Sequence, residues 1–381
     1  MSTPLIHETR LKAICCILLA LFLWIGMALA QHNPLENDEV YSQIDLQNLS
    51  WIDIFKGKIN EGNNSPLFYA AQKIFSSLLR CKVDIALNGK DICDPRGQII
   101  LRILPDLYMS LSLCLIFYFF SRTYNIWIGI LALLLALTSP MIWLFWSLAR
   151  PYGLLVLLTI VQLLLFIHIS NQSKNGNRPW YGLCLTHLAL CLTSIFGALQ
   201  VVLAVLCLHK EIRMANKKLF WPLLIPSLIA VFYFLRAPKY TFSVPLGALN
   251  LIFDNFAVER LIFFSVCAIW MTYLYKKHTQ NMAMPLKLFQ FSFLFLAIAP
   301  LILAYYTLTN AHIKFLQFQI SSRYFIFLTP LSVITTAFFW THLWDKYKSH
   351  PWIRLHLIQG ISGLLILGGI RTYVILQRLL P

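Results

Sequence analysis

Residues 11–30 read LKAICCILLALFLWIGMALA, and the chain turns polar directly afterwards, reaching Asn37-Asp38-Glu39-Val40-Tyr41. A run of that length and composition crosses a hydrocarbon core of about 30 Å as a single helix of ~20 residues. Ala28-Leu29-Ala30 has the small-residue pattern of a signal-peptidase site. The run nevertheless exceeds the ~7–15 residues of a signal core, and many apolar runs follow it, so an uncleaved first span is expected.

The rest of the 381-residue chain repeats the pattern. It is 59% hydrophobic and 12% charged, with a mean hydropathy of +0.68, more apolar surface than a soluble domain could enclose. Further runs at about 99–120, 126–146, 151–169, 180–194, 198–208, 219–235, 260–275, 286–307, 323–343 and 353–373 bring the expectation to roughly eleven spans. The expected fold class is an all-α polytopic membrane protein. It would be one integral domain over 1–381, with a large extracytoplasmic loop at 31–98 and no soluble C-terminal domain.

The formal charge of +16 would suit nucleic acid in a soluble chain, whereas a multi-span chain keeps basic residues in its cytoplasmic connections. Arg10, Lys12, Arg122, Arg213, Lys217, Lys218, Lys276, Lys277 and Lys346 fall in connections that lie inside when the N-terminus is inside. The short connections opposite hold fewer, among them Arg150, Arg236, Lys314 and Arg323. The first loop therefore faces outward. Membrane lipids are expected partners and nucleic acid is not. Cys15, Cys16, Cys114, Cys184, Cys191, Cys207 and Cys267 lie in apolar runs, as small hydrophobes do. Cys81 and Cys93 stand in the polar loop, where an oxidising compartment would allow a disulfide; two free thiols are the alternative.

Within that loop, Leu67, Phe68, Ala71, Ile74, Phe75 and Leu78 recur at three- and four-residue spacing. This predicts a helix from Pro66 onward lying in the membrane interface. Trp51-Ile52-Asp53-Ile54-Phe55 reads as a shorter one. Asp38 and Glu39 stand just past the membrane exit. The Asp38 carboxylate could take a proton from a substrate hydroxyl as general base, and Glu39 could support it, orient a basic group or bind a metal. Taken alone, an Asp-Glu pair in a polar loop is more often merely solvated.

Its companions are basic residues beside aromatics on the same predicted side: Arg150 before Tyr152, and Arg323 before Tyr324, with Lys314 in the same outer connection. The planar guanidinium grips phosphate oxygens in pairs, although a lone arginine at a membrane boundary more often snorkels to headgroups. Asp106 falls inside the second span, and Arg102 four residues earlier is its expected structural partner on the same helix face. His32, Asp38 and Glu39 offer ligand types for a divalent metal without a diagnostic spacing. Walker, dinucleotide and structural-zinc motifs are missing from the sequence.

The order of these pieces is Asp38-Glu39-x-Tyr41, then Trp51 and Gly57, then Ser65-Pro66-Leu67-Phe68-Tyr69. Ala149-Arg150-Pro151-Tyr152-Gly153-Leu154 follows, and later Arg323-Tyr324 with Pro330. Over about 11–345 this order resembles the GT-C-fold glycosyltransferases that use polyprenyl-phosphate sugars, the group of the protein O-mannosyltransferases and the bacterial aminoarabinose transferase. The resemblance implies an inverting transfer from a polyprenyl-phosphate-linked sugar to a hydroxyl of a lipid, glycan or protein. It also implies an active site on the outer face of a bacterial inner membrane. Asp38 would be the base with Glu39 beside it. Arg150, Arg323 and Lys314 would hold the donor phosphate, with Tyr152 and Tyr324 positioning it. Tyr41, Ser65, Pro66 and Tyr69 would line the substrate groove. The chain departs from that pattern at Ser65, where relatives often have a second proline, and at Thr193-Ser194-Ile195-Phe196, which lacks their histidine; divalent-metal use is correspondingly open. The competing expectation is a transporter or flippase for a lipid-linked substrate. Such a carrier would place its ionisable groups near the bilayer midplane on broken helices, whereas here most lie at span ends.

Overall fold

The computed structural model describes residues 5–59, 66–79, 84–85, 91–92, 95–171, 178–215, 217–236 and 325–379. Ser65, Cys81, Cys93, Lys314, Arg323, Tyr324 and the expected spans at 260–275 and 286–307 lie outside them.

The first long helix, α1 (Leu5–His32), is followed by a set of shorter ones: α2 (Asn37–Asn48), α3 (Trp51–Phe55) and α4 (Pro66–Leu78). Two short strands, β1 (Asp84–Ile85) and β2 (Asp91–Ile92), pair antiparallel with Asp84 opposite Ile92. This two-residue pairing aside, the described elements are helical, as expected. Then come α5 (Pro95–Thr123), α6 (Ile126–Leu137), α7 (Pro140–Leu144), α8 (Tyr152–Asn171), α9 (Arg178–Cys191), α10 (Ile195–Cys207) and α11 (His209–Ala215). A 3₁₀ turn at Lys217–Leu219 leads into α12 (Phe220–Leu224) and α13 (Pro226–Arg236). The last described helices are α14 (Leu328–Lys346) and α15 (Pro351–Leu379).

Among the described residues, five helical stretches are long and apolar enough to cross a membrane: Glu8–His32, Gly97–Thr123, Tyr152–Ser170, Lys217–Arg236 and Pro351–Gln377. A sixth is reached if α10 and α11, bent by 66°, count as one span. The chain is an integral membrane protein, but the expected run at 126–146 is not one continuous helix. Pro140 has no N–H to continue α6, and a residue before proline is pushed out of the helical region. Ser139 accordingly takes an extended conformation, φ −100° and ψ 112°, and α7 restarts at Pro140.

The bundle is organised around α5, which packs against α1, α6 and α8. Phe22, Met109, Leu113, Phe117, Phe120, Trp146, Ile160 and Phe166 fill the space between these helices. Almost every residue of α14 is buried. Two of its hydroxyls bond back along the helix, Ser332 Oγ to Thr329 O at 2.9 Å and Thr341 Oγ1 to Ala337 O at 2.7 Å, which satisfies these two within the helix.

Pro105 decides how the polar segment docks. It lies inside α5, and because proline brings no N–H, the carbonyl four residues earlier loses its helical donor. That carbonyl, Leu101 O, accepts instead from Gln72 Nε2 of α4 at 2.7 Å. One turn further along α5, Gly153 lets α8 approach closely, since a Cβ there would stand 2.9 Å from Pro105 O. The short helices share a small core of Leu46, Ile54, Ile59, Phe68 and Tyr69, closed by Leu154 of α8. Lys73 Nζ donates to Leu46 O at 2.5 Å and Leu49 O at 2.6 Å, placing a cation at the negative end of α2. Tyr233 Oη donates to Phe55 O at 2.8 Å, tying α3 to the end of α13, and Leu67 N donates to Leu192 O at 2.9 Å.

The amphipathic helix expected at 66–79 is present as α4, but its inward face is not the purely apolar stripe. Gln72 and Ser76 point inward while Ile74 and Leu78 are exposed. The need to satisfy Leu101 O turns Gln72 into the protein and leaves an apolar edge outside.

Candidate active site

Consecutive residues on a helix point about 100° apart, and that separates the two adjacent acids at the start of α2. Glu36 and Glu39 form a capping box, in which Glu36 N donates to Glu39 Oε2 at 2.8 Å. Glu39 is thereby turned inward and is 1% exposed. Arg102 of α5 meets it with two donors, Nε to Oε1 at 3.0 Å and Nη2 to Oε2 at 2.6 Å. Ala149 N adds a third contact to Oε1 at 2.6 Å. The rest of the Arg102 guanidinium closes the end of α1, with Nη1 donating to Asn33 O at 2.6 Å and Ala30 O at 3.3 Å, and Nη2 to Pro34 O at 2.9 Å. Gln98 Nε2 caps the same carbonyls, Ala30 O at 2.6 Å and Asn33 O. Glu39 and Arg102 thus pin together α1, α2, α5 and the segment before α8.

This corrects the expected pairing of Arg102 with Asp106: Arg102 turns to Glu39. Both Asp106 oxygens are buried with no protein hydrogen-bond partner. It also separates Glu39 from any metal. Its oxygens are engaged by Arg102 and by backbone N–H groups, so His32, Asp38 and Glu39 do not form a ligand set. Among the described residues no group of three or more His, Cys, Asp or Glu side chains is arranged to hold a metal ion.

Asp38 faces the other way. Its side chain is 42% exposed, and its Oδ2 lies 3.6 Å from Nη2 of Arg150, whose own side chain is only 7% exposed. Arg150 Nη1 also donates to Ser42 Oγ at 3.0 Å and to Asp38 O at 3.3 Å, while Ser42 Oγ donates to Asp38 O at 2.6 Å. A buried cation is thus held from behind, with a reachable carboxylate in front of it. The segment 149–153 supplies this corner residue by residue. Ala149 gives its N–H to Glu39, Arg150 faces Asp38, and Pro151 O accepts the N–H of Leu155 as α8 begins, at 2.9 Å. Tyr152 packs its ring against Phe145 with centroids 5.0 Å apart, and Gly153 admits α8 to α5.

The remaining candidates divide by burial. Tyr41, three residues after Asp38 on α2, is 64% exposed. Tyr152 and Tyr69 are buried, Tyr69 edge-on to Phe68 at 5.4 Å, and Pro66 opens α4 from a buried position. Asp53, another acid of this segment, is committed elsewhere. It pairs with Lys58 at 2.7 Å and caps α3 together with Ser50. The hydrogen bond from Lys58, helped by Ser50, lowers its pKa to about 2. The contact of Arg102 with Glu39, the part of Ser42 and the Ala149 N–H escaped sequence reasoning. The Ser42 position four residues after Asp38 was the one available signal; nothing local links Glu39 to residue 102.

No family model and no curated protein matches the chain. Among solved structures, the crystal structure of the Archaeoglobus fulgidus oligosaccharyltransferase in complex with Zn and sulfate is similar over 93% of this chain, with 12% sequence identity and a TM-score of 0.48. The chain covers 53% of that protein's length.

Proposed function

We propose that this chain is an inverting membrane glycosyltransferase of the GT-C type. It moves a sugar from a polyprenyl-phosphate donor to a hydroxyl acceptor on the extracytoplasmic face. The observation that carries the reading is the Asp38–Arg150 corner: a reachable carboxylate, 3.6 Å from a buried guanidinium, immediately beyond the membrane exit of α1. Inverting transfer from a lipid phosphate needs a base toward the acceptor and a cation toward the phosphate, on opposite sides of the anomeric carbon, so the donor enters between the two groups. Asp38 removes the proton of the acceptor hydroxyl, whose oxygen attacks the anomeric carbon from the face opposite the phosphate. The bond from that carbon to the phosphate oxygen breaks with its electron pair, and polyprenyl phosphate leaves as an anion. Arg150 compensates the charge that develops on it, and its pre-positioned guanidinium need not reorganise as that charge appears.

Glu39 and Arg102 stand behind this chemistry as scaffolding, and Tyr41 is the exposed ring beside the base. Arg323, Tyr324 and Lys314 belong to the proposal as further donor-phosphate contacts, resting on their sequence pattern. The experiment uses the purified chain in proteoliposomes with a panel of polyprenyl-phosphate sugars and an acceptor extract, and measures free polyprenyl phosphate together with labelled acceptor. Stoichiometric release of both is the expected result. Movement of intact donor across the bilayer without release would replace the transferase by a carrier.

A further inference from the structure

Asp106 lies within a membrane-crossing helix, is 1% exposed, and neither of its oxygens has a protein hydrogen-bond partner. Arg102, one turn away, directs its donors to Glu39 and to carbonyls of residues 30–34. An ionisable group inside a membrane without such compensation is costly and calls for a role. A second polar group is stranded beside it. Trp146 is fully buried, and its indole N–H has no protein partner, although a buried tryptophan N–H usually finds one.

The two converge on one place. A Cβ built on Gly26 of α1 would meet Asp106 Cγ at 2.8 Å, Asp106 Oδ1 at 3.0 Å and Trp146 Nε1 at 2.9 Å. The carboxyl of α5 and the indole N–H therefore flank the same glycine, close enough for one bridging water to join them. An N–H donor facing a carboxyl group is the makeup of a hydrogen bond; a cation site would present acceptors from all sides. The ring of Trp146 is held on its flanks by Phe22 at 5.9 Å and Trp143 at 5.1 Å. Trp146 belongs to the connection between α7 and α8, which three residues later gives its N–H to Glu39 through Ala149 and then presents Arg150.

We propose that Asp106 and the Trp146 indole N–H form a latch that fixes the α7–α8 connection in the slot beside Gly26 and so sets Arg150 against Asp38. Asp106 is then a positioning residue. Its effect on catalysis rests on the transferase reading, whereas the latch itself does not.

The test reads the connection directly. Ser147→Cys places a thiol next to Trp146 at a position 7% exposed, and maleimide labelling resolved by peptide mass spectrometry follows it, with native Cys191, fully buried, as the internal control. Trp146→Phe, which keeps the ring and removes the N–H, and Asp106→Leu should each raise labelling at 147 about tenfold, the effect of losing one buried hydrogen bond, while Cys191 stays protected. Asp106→Asn, which keeps an acceptor, should label close to the parent rate. In the proteoliposome assay, Trp146→Phe should raise the donor KM, with Asp106→Asn again near the parent. Unchanged labelling at 147 overturns the latch, and so does labelling of Cys191 in step with 147. If the parent shows no transfer, the transferase reading fails while the labelling still decides the latch.

Discussion

Glu39→Gln tests the scaffold with a change of one charge and almost no volume. The wild-type carboxylate accepts from Arg102 Nε and Nη2, Ala149 N and Glu36 N at 3.0, 2.6, 2.6 and 2.8 Å. Both members of the ion pair are buried, with side chains 1% and 0% exposed. Removing one partner of such a pair strands the other charge and costs about 3–5 kcal/mol. The amide also presents N–H groups where the site offers donors. The variant should melt several degrees below wild type in detergent, followed by tryptophan fluorescence and size exclusion. Asp38→Asn, next door, changes a carboxylate that is 42% exposed and lies 3.6 Å from Arg150, whose guanidinium keeps Ser42 Oγ and Asp38 O as acceptors, and should melt closer to wild type than Glu39→Gln does. Replacing the pair by Glu39→Leu with Arg102→Met should recover part of the loss and not all of it, because the Pro34 carbonyl then loses its Arg102 donor and the Ala149 N–H its Glu39 acceptor. Wild-type melting of Glu39→Gln would refute the reasoning.

Two further outcomes follow from the same geometry. Gln72→Leu should cost about 1–3 kcal/mol by leaving the Leu101 carbonyl unsatisfied, and Pro105→Ala in the same chain should restore much of it by supplying the helical N–H; thermal melting of the single and double variants checks this. Asp53 titrates below its ordinary 3.8, at about 2. Its contact with Lys58 and Ser50 therefore stabilises at every pH above about 4 and is lost as pH falls through about 2. Melting temperature against pH should match between wild type and Asp53→Asn in shape from pH 5 to 8, and differ by a step below pH 4.

Much of the bundle was legible because a membrane helix must satisfy its backbone internally and show a long apolar face, and both leave plain marks in sequence. The first span, α4 and the start of α8 could be read from apolar runs, a helical period and prolines. The break at Ser139-Pro140 is masked in the sequence by the apolar run that continues through it. At the candidate site, Asp38 and Arg150 were named from sequence, and the structure brings them together. What could not be read was which of two adjacent acids faces inward, because that depends on where the capping box starts α2. Arg102 shows the same limit. Its helical neighbour Asp106 was the visible partner, but an arginine that reaches across a tertiary gap leaves no local period, and Glu39 is 63 residues away.

The most direct test of the central claim is the rate of sugar release by Asp38→Asn in proteoliposomes. The variant should stay folded and still bind the polyprenyl-phosphate donor, while release of polyprenyl phosphate falls by about 10²–10⁴-fold, the contribution of a positioned general base. Release at the wild-type rate would contradict the assignment of Asp38 as that base.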